Sequence, residues 1–139
     1  MKNQILIIDD DQLTLETLKD ILIYTGYAVT AFTEINDIKA TMALYKPDLV
    51  MVDYLLQGIN GGELCAQIKK NAQTQTIPVI LMSAHARVML SLGTYNCDDF
   101  LEKPFNLESL LKSVNCLLES KKARPRHTEY VRVTPQRNN

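Results

Sequence analysis

Polar side chains that could do chemistry stand at the ends of apolar segments in this sequence. Asp9 and Asp10 follow one such segment, Asp53 and Ser83 close two others, and Lys103 comes just after a fourth. A single aspartate in such a place has an ordinary explanation, because a chain leaving the core turns and aspartate is favoured in turns and at helix N-caps. Three carboxylates, a hydroxyl and an ammonium at segment ends indicate a shared site instead.

These residue types define the chemistry that such a site could perform. Asp9, Asp10 and Asp53 would repel one another, so either a carboxyl pKa rises or a cation lies among them. Ligands that are all oxygen suit a hard ion, and few carboxylates with room for water and phosphate oxygens favour Mg²⁺ over Ca²⁺. Lys103 and Ser83 can stabilise a transferring phosphoryl group, which a carboxylate can accept as an aspartyl phosphate. The set therefore indicates phosphoryl transfer with Mg²⁺.

The apolar segments have the length and composition of strands in a parallel sheet. Residues 4–9 form a nearly unbroken apolar run rich in isoleucine, which is typical of a strand buried on both faces. We predict five strands, at residues 4–9, 28–32, 49–53, 79–83 and 100–101.

Helical periodicity recurs between these strands. A leucine and isoleucine stripe at residues 15–22 stops at Gly26, and a second pattern at residues 35–45 stops before Pro47. Two further helix starts are indicated. One follows a glycine-rich turn, and the other has Asn106 as its N-cap. The turn contains Gly58, Gly61 and Gly62, and the remaining helices are predicted at residues 64–68, 84–92 and 107–118.

Five strands alternating with five helices argue for an α/β fold. The expected architecture is an open parallel sheet with helices on both faces, because right-handed crossovers leave few other topologies. In such sheets ligands bind beyond the carboxyl ends of the strands, near the point where the strand order reverses. The polar residues at the strand ends should therefore meet at one edge of the sheet.

Several separated motifs occur in order along residues 3–120. They are the acidic pair Asp9 and Asp10, then Asp53 with Gly61 eight positions later, then Ser83 with Ala84, and finally Lys103, Pro104 and Phe105. Each motif alone is weak, but together at these spacings they resemble the receiver domains of two-component response regulators. The resemblance implies a flavodoxin-like (βα)5 doubly wound sheet with strand order 2-1-3-4-5.

The resemblance also implies where phosphoryl chemistry would take place. Asp53 would accept a phosphoryl group from a sensor histidine kinase or a His-containing phosphotransfer protein, and hydrolysis at the same site would remove it. Asp10 and Asp53 would be carboxylate ligands of Mg²⁺, with Asp9 acting directly or through water. The backbone carbonyl of Leu55 would be a further ligand.

Three more positions would report the phosphorylation, again by resemblance. Ser83 would be the switch hydroxyl that turns toward the phosphoryl group, and Phe100 the switch aromatic that moves inward with it. Lys103 would pair with the phosphoryl group, and its peptide bond to Pro104 would be cis, which is plausible only because the second residue is proline.

The loop after the third strand departs from the family pattern. Gln57 stands where proline is usual, and Leu56 where methionine is common, so we expect this loop to be looser and the reaction rate to differ. Leu55 and His85 occupy the two variable positions that, by resemblance, control water access to the acyl phosphate. His85 would either orient a water molecule or lie in solvent.

Composition places the chain in a broad class. Its 139 residues, 46% of them hydrophobic, with a net charge of −1, fit one globular domain. No apolar run approaches the roughly 18 residues that cross a bilayer, and the first one leads into Asp9 rather than a cleavage site. Cys65, Cys97 and Cys116 are scattered without a C-x-x-C pair, so we interpret them as small core or surface residues. We expect a cytoplasmic protein with no membrane contact.

Charge divides the chain into two parts. Residues 1–119 carry 9 basic and 15 acidic side chains, whereas residues 120–139 carry 6 and 1. We therefore predict a receiver domain at residues 1–120 and a basic tail or linker at residues 121–139. The tail would be a solvated extension or an arm for nucleic acid or an acidic partner. Weak alternation at residues 128–134 would allow a strand that pairs with another chain, and so a homodimer.

Other functions fit part of this pattern. An aspartyl-phosphate-forming, Mg²⁺-dependent phosphohydrolase also uses an aspartate after a strand, but such enzymes resemble D-x-D, whereas Asp53 is followed by Tyr54 and Leu55. A dinucleotide-binding module would need a G-x-G-x-x-G motif after the first strand. As for output, the chain would act either as a single-domain receiver on a downstream protein or as part of a longer regulator whose effector domain is missing here.

Overall fold

The structure is a computed structural model that describes residues 2–85, 87 and 96–123. Within these residues, strands and helices follow one another along the chain. They are β1 (Gln4–Ile8), α1 (Gln12–Tyr24), β2 (Ala28–Phe32), α2 (Ile38–Tyr45), β3 (Leu49–Asp53), α3 (Gly61–Lys70), β4 (Val79–Ser83), β5 (Asp99–Glu102) and α4 (Leu107–Ala123).

The five strands form one parallel sheet in the order β2-β1-β3-β4-β5. Strand β1 lies between β2 and β3, so the order in which strands are added to the sheet reverses between β1 and β3. Asp53 at the end of β3 is in register with Met82, and Ser83 at the end of β4 is in register with Glu102. The predicted α/β fold with strand order 2-1-3-4-5 is confirmed.

Alternate residues of the central strands pack into two cores, one on each face of the sheet. Along β1, Ile5 and Ile7 join the core under α1 and α4, whereas Leu6 and Ile8 join the core under α2 and α3. Burial on both faces explains why β1, β3 and β4 are apolar almost throughout. Polar residues are therefore confined to the strand ends.

Short polar side chains cap the helices at their N-termini. Asp11, Asp37 and Asn60 each accept a hydrogen bond from the backbone N–H three residues later, at the starts of α1, α2 and α3. Asn106 does the same for α4, as predicted, by accepting from Ser109 at 3.1 Å. These caps satisfy donors that the first helical turn leaves open.

Some predicted elements differ from the observed ones. Gly61 and Gly62 begin α3 rather than lying in the turn before it, because Asn60 caps the helix at that point. Strand β5 extends one residue beyond the prediction at each end. The predicted helix at residues 84–92 lies largely outside the described residues, as does most of the basic tail, of which the first three residues continue α4. Among the described helices, none combines the length and apolar character needed to cross a bilayer.

Candidate functional site

Lys103 joins two aspartates that are far apart in the sequence. Its Nζ lies 2.8 Å from Asp9 Oδ2 and 3.0 Å from Asp53 Oδ1. Asp9 follows β1 and Asp53 ends β3, which are neighbouring strands, so both carboxylates emerge at the same edge of the sheet. Asp9 is completely buried and Asp53 is 6% exposed. The structure thus brings these three residues together at the carboxyl ends of the strands.

Asp10 completes an acid cluster, by which we mean Asp9, Asp10 and Asp53. One carboxylate oxygen from each lies within 4.8 Å of the other two, and Asp10 itself is exposed. The ammonium of Lys103 balances only one of the three negative charges, so the cluster favours an additional cation. Its donor set is all oxygen and opens to solvent on the Asp10 side, which fits Mg²⁺ with part of its water shell retained.

Both oxygens of Asp9 already accept hydrogen bonds from the protein. Oδ1 accepts from the backbone N–H of Asp11 at 3.0 Å, and Oδ2 accepts from Lys103. Asp9 therefore holds the lysine in place and ties the start of α1 to the site. This arrangement favours Asp10 and Asp53 over Asp9 as direct ligands of a cation.

Burial acts in opposite directions on the pKa values of Asp53 and Lys103. Burial raises the pKa of Asp53, the hydrogen bond from Lys103 offsets this only in part, and the nearby charges of Asp9 and Asp10 add to the rise. Burial alone would lower the pKa of Lys103, but its hydrogen bonds to Asp9 and Asp53 outweigh that effect and raise it. The lysine is therefore a permanent cation, and an ionised Asp53 gains from further positive charge.

Gly61 allows the first turn of α3 to pack directly on the backbone of Asp53. A Cβ at this position would overlap the Asp53 carbonyl oxygen, and the Gly61 N–H donates to the Tyr54 carbonyl at 2.8 Å. Any side chain here would displace the backbone that carries Asp53 and Leu55. The sequence showed Gly61 only as a motif position, because a close backbone approach leaves no other trace in a single sequence.

The other predicted site residues are Ser83, Phe100 and Leu55, which occupy different positions on β4, on β5 and in the loop after β3. Ser83 is buried at the end of β4, and its Oγ accepts from the His85 N–H at 2.9 Å. Phe100 is registered with Leu81, two residues before the end of β4, and packs on the core beneath α2 and α3. Leu55 is exposed in the loop after β3.

The peptide bond between Lys103 and Pro104 is cis, as the resemblance implied. Lys103 N–H donates to the Ser83 carbonyl at 2.9 Å, so the lysine backbone is joined to the end of β4. The hydroxyl and the ammonium of the predicted site therefore belong to adjoining chain segments.

The chain belongs to the response regulator receiver domain family, since residues 5–115 match the model of that family. Response regulator MprA of Mycolicibacterium vanbaalenii is 30% identical over 120 residues, covering 85% of this chain and 51% of that protein. RpaA of Synechocystis sp., a DNA-binding dual master transcriptional regulator, is 28% identical over 135 residues, covering 96% of this chain and 56% of that protein. The chain thus spans about half the length of the curated relatives it matches.

Solved structures show the same relationship. The signal receiver domain of a signal transduction histidine kinase from Syntrophus aciditrophicus superposes with a TM-score of 0.78 at 32% identity, covering 88% of this chain and 95% of that chain. The chain is therefore a receiver domain of response regulators, which is a class of signalling domain, as predicted. The phosphohydrolase alternative gains no support from these relationships.

Proposed function

We propose that Asp53 is the phosphoacceptor of this receiver domain and that the charge on it switches the domain between two states. The observation that carries the proposal is the bridge from Lys103 to Asp9 and Asp53 within the acid cluster. An ammonium held beside the Asp53 carboxylate, in a cluster that opens to solvent at Asp10, is suited to a nucleophile that must receive an anionic group. The donor would be a sensor histidine kinase or a His-containing phosphotransfer protein.

In the transfer step, a carboxylate oxygen of Asp53 forms a bond to phosphorus while the bond from phosphorus to the donor imidazole nitrogen breaks. The imidazole leaves with that electron pair, and the negative charge on the phosphoryl oxygens lies near Lys103. Asp9 keeps the lysine oriented throughout, because it holds Nζ independently of Asp53. In autodephosphorylation, water would attack phosphorus, the bond from phosphorus to the Asp53 oxygen would break, and inorganic phosphate would leave as Asp53 returns to its carboxylate form.

Asp10 and Asp53, with Asp9 directly or through water, and the Leu55 carbonyl are the groups that would hold Mg²⁺. When bound, the ion would neutralise the acid cluster and offset the repulsion between the cluster and the incoming phosphate. The support for this assignment is the three converging carboxylate oxygens and their single counter-charge.

Ser83 and Phe100 would carry the change of state. The Ser83 hydroxyl accepts from the His85 N–H, so turning it toward a phosphoryl group would release the backbone after β4. Phosphorylation adds about −1.5 to −2 charges, and a nearly complete switch requires roughly 5 kcal/mol of differential stabilisation. A few charge-assisted hydrogen bonds of about 1.5–3 kcal/mol each, with further burial of the Phe100 ring, reach that sum.

The output would pass to another protein or to an effector domain. We propose residues 1–120 as the receiver unit and residues 121–139 as a basic tail or linker, acting in the cytoplasm where such phosphodonors are found. The charge contrast between the two parts supports this division. Only the tail would contact nucleic acid. A homodimer would also form through the tail.

Phosphorylation with a small radiolabelled acyl phosphate tests the assignment of Asp53. We expect Mg²⁺-dependent, base-labile labelling of the wild-type chain and none of Asp53→Asn, because an amide oxygen is a poor nucleophile. Asp37→Asn is the matched control, since asparagine caps a helix as well as aspartate and α2 should be unaffected. Undiminished labelling of Asp53→Asn, with circular dichroism showing a native fold, would refute the assignment.

A further inference from the structure

Two cysteines that are scattered in the sequence pack in the same core, on the face of the sheet that α2 and α3 cover. Cys65 is buried in α3, and Cys97 lies in the segment that leads into β5 and is partly exposed. Both pack in the core beneath α2 and α3, and the two thiols are close enough for each to shift the pKa of the other. A buried thiol therefore has a neighbour that solvent can reach.

We propose that Cys65 and Cys97 are a site of reversible covalent modification, forming an intramolecular disulfide by exchange with a low-molecular-weight disulfide. This site is separate from Asp53 and does not rest on the function proposed for it. Cys116, which is exposed on α4, is the third cysteine of the chain and serves as an internal reference.

The environment gives the two thiols different roles. The hydrogen bond from Cys65 lowers the pKa of Cys97, so Cys97 is the thiol that more readily becomes a thiolate. The same contact, with burial, raises the pKa of Cys65. Because solvent reaches Cys97 whereas Cys65 is buried, Cys97 is the attacking thiol and Cys65 the resolving one. The charge on Cys97 disappears once it is bonded to another sulfur, which removes the main cause that keeps Cys65 protonated.

The exchange balances as two successive displacements at sulfur. The Cys97 thiolate attacks one sulfur of the small disulfide, a new S–S bond forms, and the first small thiolate leaves with a proton from solvent. Cys65 then gives up its proton, attacks the Cys97 sulfur and releases the second small thiolate, which takes up that proton. Two cysteine thiols are oxidised by two electrons and the small disulfide is reduced to two thiols.

Neighbouring contacts keep the pair together while allowing one partner to adjust. Lys69, one helical turn after Cys65, forms a 2.6 Å ion pair with Asp98, the residue after Cys97. Asp98 also accepts from the Val79 N–H at 2.7 Å. Cys97 itself lies outside regular secondary structure, so its side chain can move to the roughly 2.05 Å of an S–S bond.

Peptide mapping after exposure of the full chain to oxidised glutathione tests the site. Trypsin should place the three cysteines in three different peptides, at residues 40–69, 88–112 and 113–121. After alkylation of remaining thiols, we expect a non-reduced species that links the first two peptides and returns to free peptides with dithiothreitol. The oxidised chain should also unfold at a higher temperature, because the cross-link restricts the denatured state.

Three variants separate the proposed pair from other thiol chemistry. Cys116→Ser should leave the link intact, Cys97→Ser should abolish it, and Cys65→Ala should leave Cys97 as a stable mixed disulfide with glutathione. If the wild-type chain instead accumulates a glutathione adduct at Cys97, links only through Cys116, or keeps Cys65 and Cys97 reduced while unfolded chain oxidises, the proposal is wrong. The wild-type mapping alone decides the matter should Cys65→Ala fail to fold.

Discussion

Lys69 and Lys103 are both largely buried lysines that pair with aspartate, and they lie at opposite ends of the same sheet. Lys69 lies where β4 and β5 begin, 2.6 Å from Asp98, and it also donates to the carbonyls of Gln75 and Ile77. Lys103 lies where the strands end, at 2.8 and 3.0 Å from Asp9 and Asp53. By distance alone the two sites look alike.

The two sites differ in charge balance. At Lys69 one ammonium pairs with one carboxylate, that of Asp98. The ammonium also donates to two backbone carbonyls, and Asp98 also accepts from the Val79 N–H. At Lys103 one ammonium faces three carboxylates. A balanced and saturated pair stabilises the fold, whereas an unbalanced one can bind a cation and respond to added phosphate. We therefore use net local charge rather than geometry to assign Lys69 to the fold and to propose Lys103 for the phosphoryl site.

Replacing each lysine with methionine gives the largest expected contrast. Lys103→Met should slow labelling by a small acyl phosphate about 10²-fold, because it removes a preorganised positive charge beside the phosphoryl oxygens. Mg²⁺ should bind this variant at least as tightly as wild type, since a competing cation has gone, and isothermal titration calorimetry would measure it.

Lys69→Met is the matched control for that experiment. It should lower the free energy of unfolding by about 2 kcal/mol, because Asp98 and two carbonyls lose their donor, while labelling of the folded protein stays unchanged. Urea denaturation and initial labelling rates would measure the two effects. Loss of labelling in Lys69→Met, or its retention in Lys103→Met, would remove the distinction between the two ends.

Gly61→Ala should have a smaller effect, confined to the carboxyl end of the sheet. The added methyl would meet the Asp53 carbonyl, so the backbone must move, and we expect about tenfold slower labelling with weaker Mg²⁺ binding. Gly26→Ala is the control: its φ of +107° strains an alanine, but nothing lies within 4 Å of the new Cβ. It should cost stability, measured by urea denaturation, with no change in labelling. Equal labelling by both variants would contradict the role given to the close approach at Gly61.

The sheet could be predicted from sequence because burial on both faces leaves a continuous apolar signal. Strands β2, β3 and β4 were predicted at their observed bounds, and each ends where the chain must leave the core. The site followed from the same signal, because parallel strands bring their carboxyl ends to one edge. The convergence of Asp9, Asp53 and Lys103 therefore needed only strand order in addition.

Other features depend on contacts that no local pattern records. The packing of Gly61 on Asp53, the placement of Cys65 and Cys97 in one core, and the ion pair of Lys103 with Asp9 all arise from tertiary packing. The placement of Gly61 in α3 rather than in the turn was missed because glycine favours turns, whereas capping by Asn60 decided the helix start.

The smallest expected effect concerns stability in the absence of divalent ions. A folded-state pKa of Asp53 above its unfolded value of about 3.9 means that the folded protein holds this proton more tightly than the unfolded chain. The favourable contribution of Asp53 is then present below that unfolded value and is lost as pH rises through the raised pKa. Above it, an ionised Asp53 weakens the fold unless a cation is bound.

Asp53→Asn should therefore melt a few degrees higher than wild type at pH 7 in EDTA, because the amide keeps the shape of the carboxyl without its charge. The difference should be smaller at pH 4 than at pH 7, because the raised pKa makes the folded protein take up the Asp53 proton at a higher pH than the unfolded chain does, and Mg²⁺ at pH 7 should stabilise wild type more than the variant. Differential scanning calorimetry at both pH values would measure this. If Asp53→Asn were less stable than wild type in EDTA at pH 7, Asp53 would be a balanced structural partner of Lys103, as Asp98 is of Lys69, and the contrast between the two ends of the sheet would fail.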